Sequence, residues 1–269
     1  MSRTFTQLSR PNWSSPIFSK PFTRKSLQLI RGALDSEATP FQLPGWASQD
    51  KKRSAAVLIP FCNVNETPGI LLQVRSRSMR SHSGEVSFPG GKVDEQTDLS
   101  LMDCALRECA EEMGIARNRV ELLGALHPPE KSLRGDTVWP FVGFVHLRRS
   151  QHKFTPYEPK DDPLSSLDMS AIERMASKDE VAAIFHLPLA ELANPSRSRA
   201  YMFRNEHPYW AVDVSDLVPG DGQPFVSESL EKPQIDEVGA GREGRLEVWG
   251  LTGWYLGLLA ERLSSLYEP

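Results

Sequence analysis

The sequence is poor in several features that mark large protein classes. It has three cysteines in 269 residues, Cys62, Cys104 and Cys109, and no CxxC spacing. That count excludes a disulfide framework or a zinc cage and leaves reduced thiols packed as small apolar side chains. No run approaches the roughly 18 consecutive apolar residues of a membrane span. The most apolar stretch, 248–259, is interrupted by Gly250, Thr252 and Gly253 and suits a core strand and helix. Internal repeats and low-complexity tracts are absent. Acidic residues are missing from positions 1–34, which hold Arg3, Arg10, Lys20, Arg24, Lys25 and Arg31; the whole chain has 31 basic against 35 acidic residues. A Ser- and Arg-rich, acid-free start is the composition of a mitochondrial presequence. It is equally that of a basic disordered tail, and Pro11, Pro16 and Pro21 interrupt any helix there. Without an apolar h-region secretion is not expected, so the expected location is intracellular: mitochondrial from this segment, peroxisomal or cytosolic as alternatives.

What remains is enough for a folded domain. Hydrophobic residues make up 39% and charged residues 25%, which excludes a mainly disordered or fibrous chain. The pattern predicts a basic tail over 1–25 and one α+β domain over 26–265. Loop insertions are expected at about 149–178 and 213–245, where charge, Pro, Gly and Ser dominate. A helix is expected over 26–34, and strands over 54–61, 69–75, 119–126, 137–145 and 180–185. No basic surface interleaved with aromatics points to nucleic acid.

The informative segment runs from Phe88 to Ile115. From Met102 the apolar positions 102, 105, 106, 109, 110 and 113 predict an amphipathic helix, with Ser100 as N-cap and Gly114 just past the C-terminus. Glu108, Glu111 and Glu112 then share one face, away from that stripe. A solvated acidic face is one reading of such a cluster. A site for a hard divalent cation is the other, and the preceding Gly90-Gly91 turn favours it by letting the backbone, including a carbonyl, approach closely. Arg107, beside the first glutamate, is placed to pair with and orient it.

The run Arg107-Glu108-Cys109-Ala110-Glu111-Glu112-Met113-Gly114-Ile115, with Gly91 upstream, resembles the signature box of the Nudix hydrolases, G-x5-E-x7-R-E-U-x-E-E-x-G-U. The spacing departs from it by two residues: Leu99 stands where the box has its first Glu, with Glu95 and Asp98 nearby. The resemblance implies an α/β/α sandwich around a mixed sheet and hydrolysis of a nucleoside diphosphate linked to another group. It also implies Mg²⁺ or Mn²⁺ held by Glu108, Glu111, Glu112 and the Gly91 backbone, with Arg107 and the three glutamates as the catalytic set.

The stretch 71–91 is similar to the signature of the coenzyme A diphosphatase branch, LLTxT(S/A)x3Rx3Gx3FPGG. It matches at Leu71, Leu72, Ser76, Arg80, Gly84 and Phe88 to Gly91, and has Gln73 and Arg75 in place of two threonines. By that likeness Leu71, Leu72, Arg80, Gly84, Phe88, Gly90 and Gly91 are substrate-binding, and the expected substrate is coenzyme A or acyl-CoA, cleaved to 3′,5′-ADP and (acyl-)4′-phosphopantetheine. Arg75, Arg77, Arg80, His82 and Lys92 form a cationic stretch suited to phosphate, although Arg75 and Arg77 also suit a plain surface. Residues 179–189 and 248–252 resemble later segments of the same branch, and Glu180 is either a further carboxylate for the site or a strand-end charge. Two other functions stay open: sanitation of oxidised nucleoside triphosphates such as 8-oxo-dGTP, and a non-catalytic binding module of the same fold.

Overall fold

The computed structural model describes residues 13, 16–35, 53–79, 82–148, 161–204, 207–219, 245–264 and 266. A mixed sheet organises it. Strand β1 (Ser54–Val64) runs antiparallel to β2 (Thr67–Arg75) on one side and parallel to β7 (Thr137–Val145) on the other. Beyond β7 lies β5 (Val120–Ala125), and β2 pairs with β3 (Val86–Ser87) and with β8 (Val181–Pro188). Two short strands complete it, β4 (Gly90–Lys92) on β1 and β6 (Glu130–Lys131) on β7.

The central strands are apolar on both faces because both faces are covered. In β1, Ala56, Leu58 and Cys62 face one core and Ile59 and Phe61 face the other. The first core is closed by helices α2 (Leu101–Met113) and α3 (Met169–Met175), through Cys104, Cys109, Met113 and Ile172. The second is closed by α1 (Arg24–Asp35) and by the C-terminal α5 (Gly250–Leu263), through Leu27, Ile30, Tyr255 and Leu259; the short α4 (Leu189–Ala193) follows β8. This is the expected α/β/α arrangement. All three cysteines are free and buried. Among the described residues no helix is long and apolar enough to cross a membrane.

Three features depart from the sequence reading. Trp13, Ile17, Phe18 and Phe22 are buried in the core, so the packed domain draws on residues assigned to the tail; their apolar signal is scattered among prolines. Residues 1–12, on which much of the presequence reading falls, lie outside the described set. Within the expected insertion at 149–178, residues 161–178 pack through Leu167, Ile172 and Ala176. Finally, β9 (Ser198–Phe203), β10 (His207–Asp213) and β11 (Glu247–Val248) form a separate antiparallel sheet that sequence patterning did not anticipate. β9 and β10 pair antiparallel from Phe203 opposite His207, whereas β11 is supplied from more than thirty residues downstream.

Candidate active site

Helix α2 starts and stops where its end residues dictate. The Ser100 hydroxyl accepts from the Asp103 amide at 3.0 Å, and Gly114 takes the left-handed conformation at φ 67° while donating to the Ala110 carbonyl. Between these caps Arg107 is the hub of the glutamates. Its Nη1 donates to Glu108 at 2.8 Å and to Glu111 at 3.0 Å, and its Nε and Nη2 grip Asp98 at 2.9 Å each. A further bond from Nη2 reaches the Lys92 carbonyl at 3.1 Å and ties the helix to β4.

Asp98 is therefore the acidic partner of Arg107. The Asp94 amide also donates to its Oδ2 at 2.8 Å, and burial, which alone would raise its pKa, is outweighed by Arg107 and that amide, so the carboxyl stays below its ordinary range. Leu99, at the position where the box has its first Glu, is exposed, and Glu95 is exposed too; neither joins the cluster.

Glu112 departs most from expectation, being only 2% exposed. The buried arc of α2 includes Leu101 and Cys104, so it lies rotated from a stripe counted from Met102 and takes Glu112 in with it. Its carboxylate accepts from Gln73 Nε2 at 2.8 Å, from the Gly90 amide at 2.9 Å and from Arg75 Nη1 at 3.3 Å. Burial pushes its pKa up to about 7 despite those three donors, which favour the charged form. Glu108 is also raised, by burial first, against Arg107 and with help from the charges of Glu111 and Glu180. Glu180 thus lies within electrostatic reach of the carboxylate face. Arg75, which also suited a plain surface, instead has a largely buried side chain committed to Glu112.

The glycine pair is needed for space. A Cβ on Gly91 would overlap the Glu108 carboxylate, and one on Gly90 would overlap the backbone of Ala56 and Val57. The Gly91 carbonyl faces α2, accepting from Cys104 Sγ at 3.5 Å. Among the described residues no three acidic, His or Cys side chains converge into a ready metal cage. Glu108 and Glu111 both accept from Arg107 Nη1. The donor set still fits a small hard cation, which takes one or two carboxylates and keeps several waters.

Leu71 and Leu72 are wholly buried, on opposite faces of β2, and are core residues rather than substrate contacts. Arg80 lies outside the described residues. Gly84, at φ 73°, shapes the turn between β2 and β3, donating to the Arg75 carbonyl at 3.1 Å. Its neighbours His82 and Glu85 form a 2.8 Å pair that raises the His82 pKa.

Beside Gly90 and Gly91 opens a cavity of about 310 Å³. Its lining has five cationic side chains, Arg75, Lys92, Lys131, Arg134 and Arg204, against two carboxylates, Glu85 and Asp136, in a chain of net charge −4. Phe88, Phe203, Trp249 and Leu251 supply an apolar wall. The β6, β9 and α5 contributions escaped sequence reasoning because no local motif marks them; only the fold brings them together.

Comparison with known proteins agrees with the box. The NUDIX domain model matches residues 51–202. The chain is 42% identical over 140 residues to "Uncharacterized Nudix hydrolase NudL" of Cronobacter sakazakii, covering 52% of this chain and 59% of that protein. With the Escherichia coli O7:K1 protein of the same name it shares 41% over 145 residues, covering 54% and 62%. The match thus spans about three fifths of those relatives' length. The NUDIX domain of Shewanella oneidensis NrtR complexed with ADP ribose overlaps at 20% identity and a TM-score of 0.32, covering 52% of this chain and 74% of that one.

Proposed function

Since the chain belongs to the NUDIX domain family, we propose that it is a divalent-cation-dependent diphosphatase that cleaves coenzyme A or an acyl-CoA into 3′,5′-ADP and (acyl-)4′-phosphopantetheine. The observation that carries this reading is the carboxylate face of α2, ordered by Arg107 and set beside a cation-lined cavity. Glu108, Glu111, Glu112 and the Gly91 carbonyl would hold the cation. When bound there, it would neutralise the diphosphate and acidify a water for attack on phosphorus.

The chain's own residues do the rest. Arg107 fixes Glu108 and Glu111 in place through its grip on Asp98. Gln73 and Arg75 stand at two positions where the coenzyme A signature has threonines, and both hold Glu112. The surplus of positive charge in the cavity favours a phosphate-rich ligand, and the apolar wall offers a surface for its uncharged parts.

The test is product analysis with Mg²⁺ on coenzyme A, an acyl-CoA and 8-oxo-dGTP. The expected result is release of 3′,5′-ADP, abolished by Glu111→Gln and Glu112→Gln. Turnover of the oxidised nucleotide alone would reassign the pocket to a base. Folded protein inert on all three would overturn the reading.

A further inference from the structure

Three of the five cations in the cavity wall are already committed. Arg75 pairs with Glu112 at 3.3 Å, Lys92 with Asp136 at 2.8 Å and Arg204 with Glu130 at 3.6 Å. Lys131 and Arg134 have no ion-pair partner among the described residues, although both line the cavity.

They do not hang from a loose loop. The turn between β6 and β7 is closed by three bonds: the Ser132 amide to the Asp136 carbonyl at 2.7 Å, the Gly135 amide to the Ser132 carbonyl at 2.9 Å, and the Asp136 amide to the Ser132 hydroxyl at 3.1 Å. Gly135 takes φ 84°, which lets the chain turn back. Between the two cations Leu133 stands 61% exposed and lines the same cavity.

We infer that the Lys131–Arg134 turn is a subsite for a phosphate of the substrate that is not cleaved, with Leu133 against an apolar part of the same molecule. The inference rests on the diphosphatase reading for its orientation: the scissile diphosphate lies at the carboxylate face, so cavity cations that pair with none of those carboxylates meet a different anion. The guanidinium of Arg134 offers two parallel donors to a phosphate monoester and Lys131 adds a point charge.

The test is calorimetric binding of 3′,5′-ADP and 5′-AMP to the full chain without divalent ion. Wild type is expected to prefer 3′,5′-ADP by about tenfold or more, the worth of one charge-assisted contact at 1.4 kcal/mol. The Lys131→Ala/Arg134→Ala double variant is expected to lose the preference while binding 5′-AMP within about twofold of wild type. Both side chains are exposed, so the core should be untouched. Lys131→Gln and Arg134→Gln, each made alone, would give partial losses should the double variant fail to fold. Equal affinity of wild type for the two nucleotides, or a preference kept in the variants, would overturn the subsite. Intact discrimination in a protein that does not cleave coenzyme A would instead overturn the proposed substrate and leave the subsite standing.

Discussion

With its side chain fully out of solvent, Asp98 accepts both Nε and Nη2 of Arg107, whose remaining nitrogen orders Glu108 and Glu111. Removing either partner therefore acts on the site from outside it. Asp98→Asn keeps the shape but loses the paired acceptors, and is expected to lower kcat by roughly 10- to 100-fold with a smaller change in KM. Arg107→Ala leaves Asp98 buried without its counter-charge and should cost about 3–5 kcal/mol in chemical denaturation. These roles were half legible. Arg107 and the glutamates stand in a local motif, whereas choosing among Glu95, Asp98 and Leu99 required the path of the chain between β4 and α2. Gln73 was invisible, because nothing in a strand sequence says which carboxylate lies across from it.

At the scale of elements, the two glycines of β4 separate site from scaffold. Gly91→Ala pushes on the end of the Glu108 side chain, which can swing aside. It should leave the melting temperature near wild type while lowering activity by about tenfold or more, measured by differential scanning fluorimetry beside a product assay. Gly90→Ala meets the backbone of β1 and should destabilise the fold itself, by about 1–3 kcal/mol. The central strands and α2 were readable because their periods, caps and apolar runs are local. The small sheet of β9, β10 and β11 was not: its strands alternate weakly, and one of them comes from far downstream. That sheet supplies Phe203 to the cavity wall, and Arg204 follows directly after β9, so the unread element is also the unread part of the site.

Across the whole molecule, Tyr255 of α5 joins the two layers that frame the cavity. Its hydroxyl donates to the Val138 carbonyl at 2.8 Å and accepts from the Glu130 amide at 3.0 Å. Tyr255→Phe should cost about 1–3 kcal/mol, since it leaves buried backbone groups unpaired next to the turn that carries Lys131. A global pH response is expected from His186 in β8, whose pKa burial lowers to about 4 from an ordinary 6.5. The unfolded chain takes up that proton first, so stability falls as pH drops from 6.5 towards 4, by about 1.4 kcal/mol per pKa unit. His186→Gln should flatten that part of the curve of denaturation midpoint against pH.

If the carboxylate face of α2 directs water onto a diphosphate, the reaction on coenzyme A in ¹⁸O-water with Mg²⁺, its products read by ³¹P NMR, places one ¹⁸O in one product phosphate. That labelling is expected to need the divalent ion and to disappear in Glu112→Gln. Unlabelled products, or labelling that persists in that variant, would contradict it.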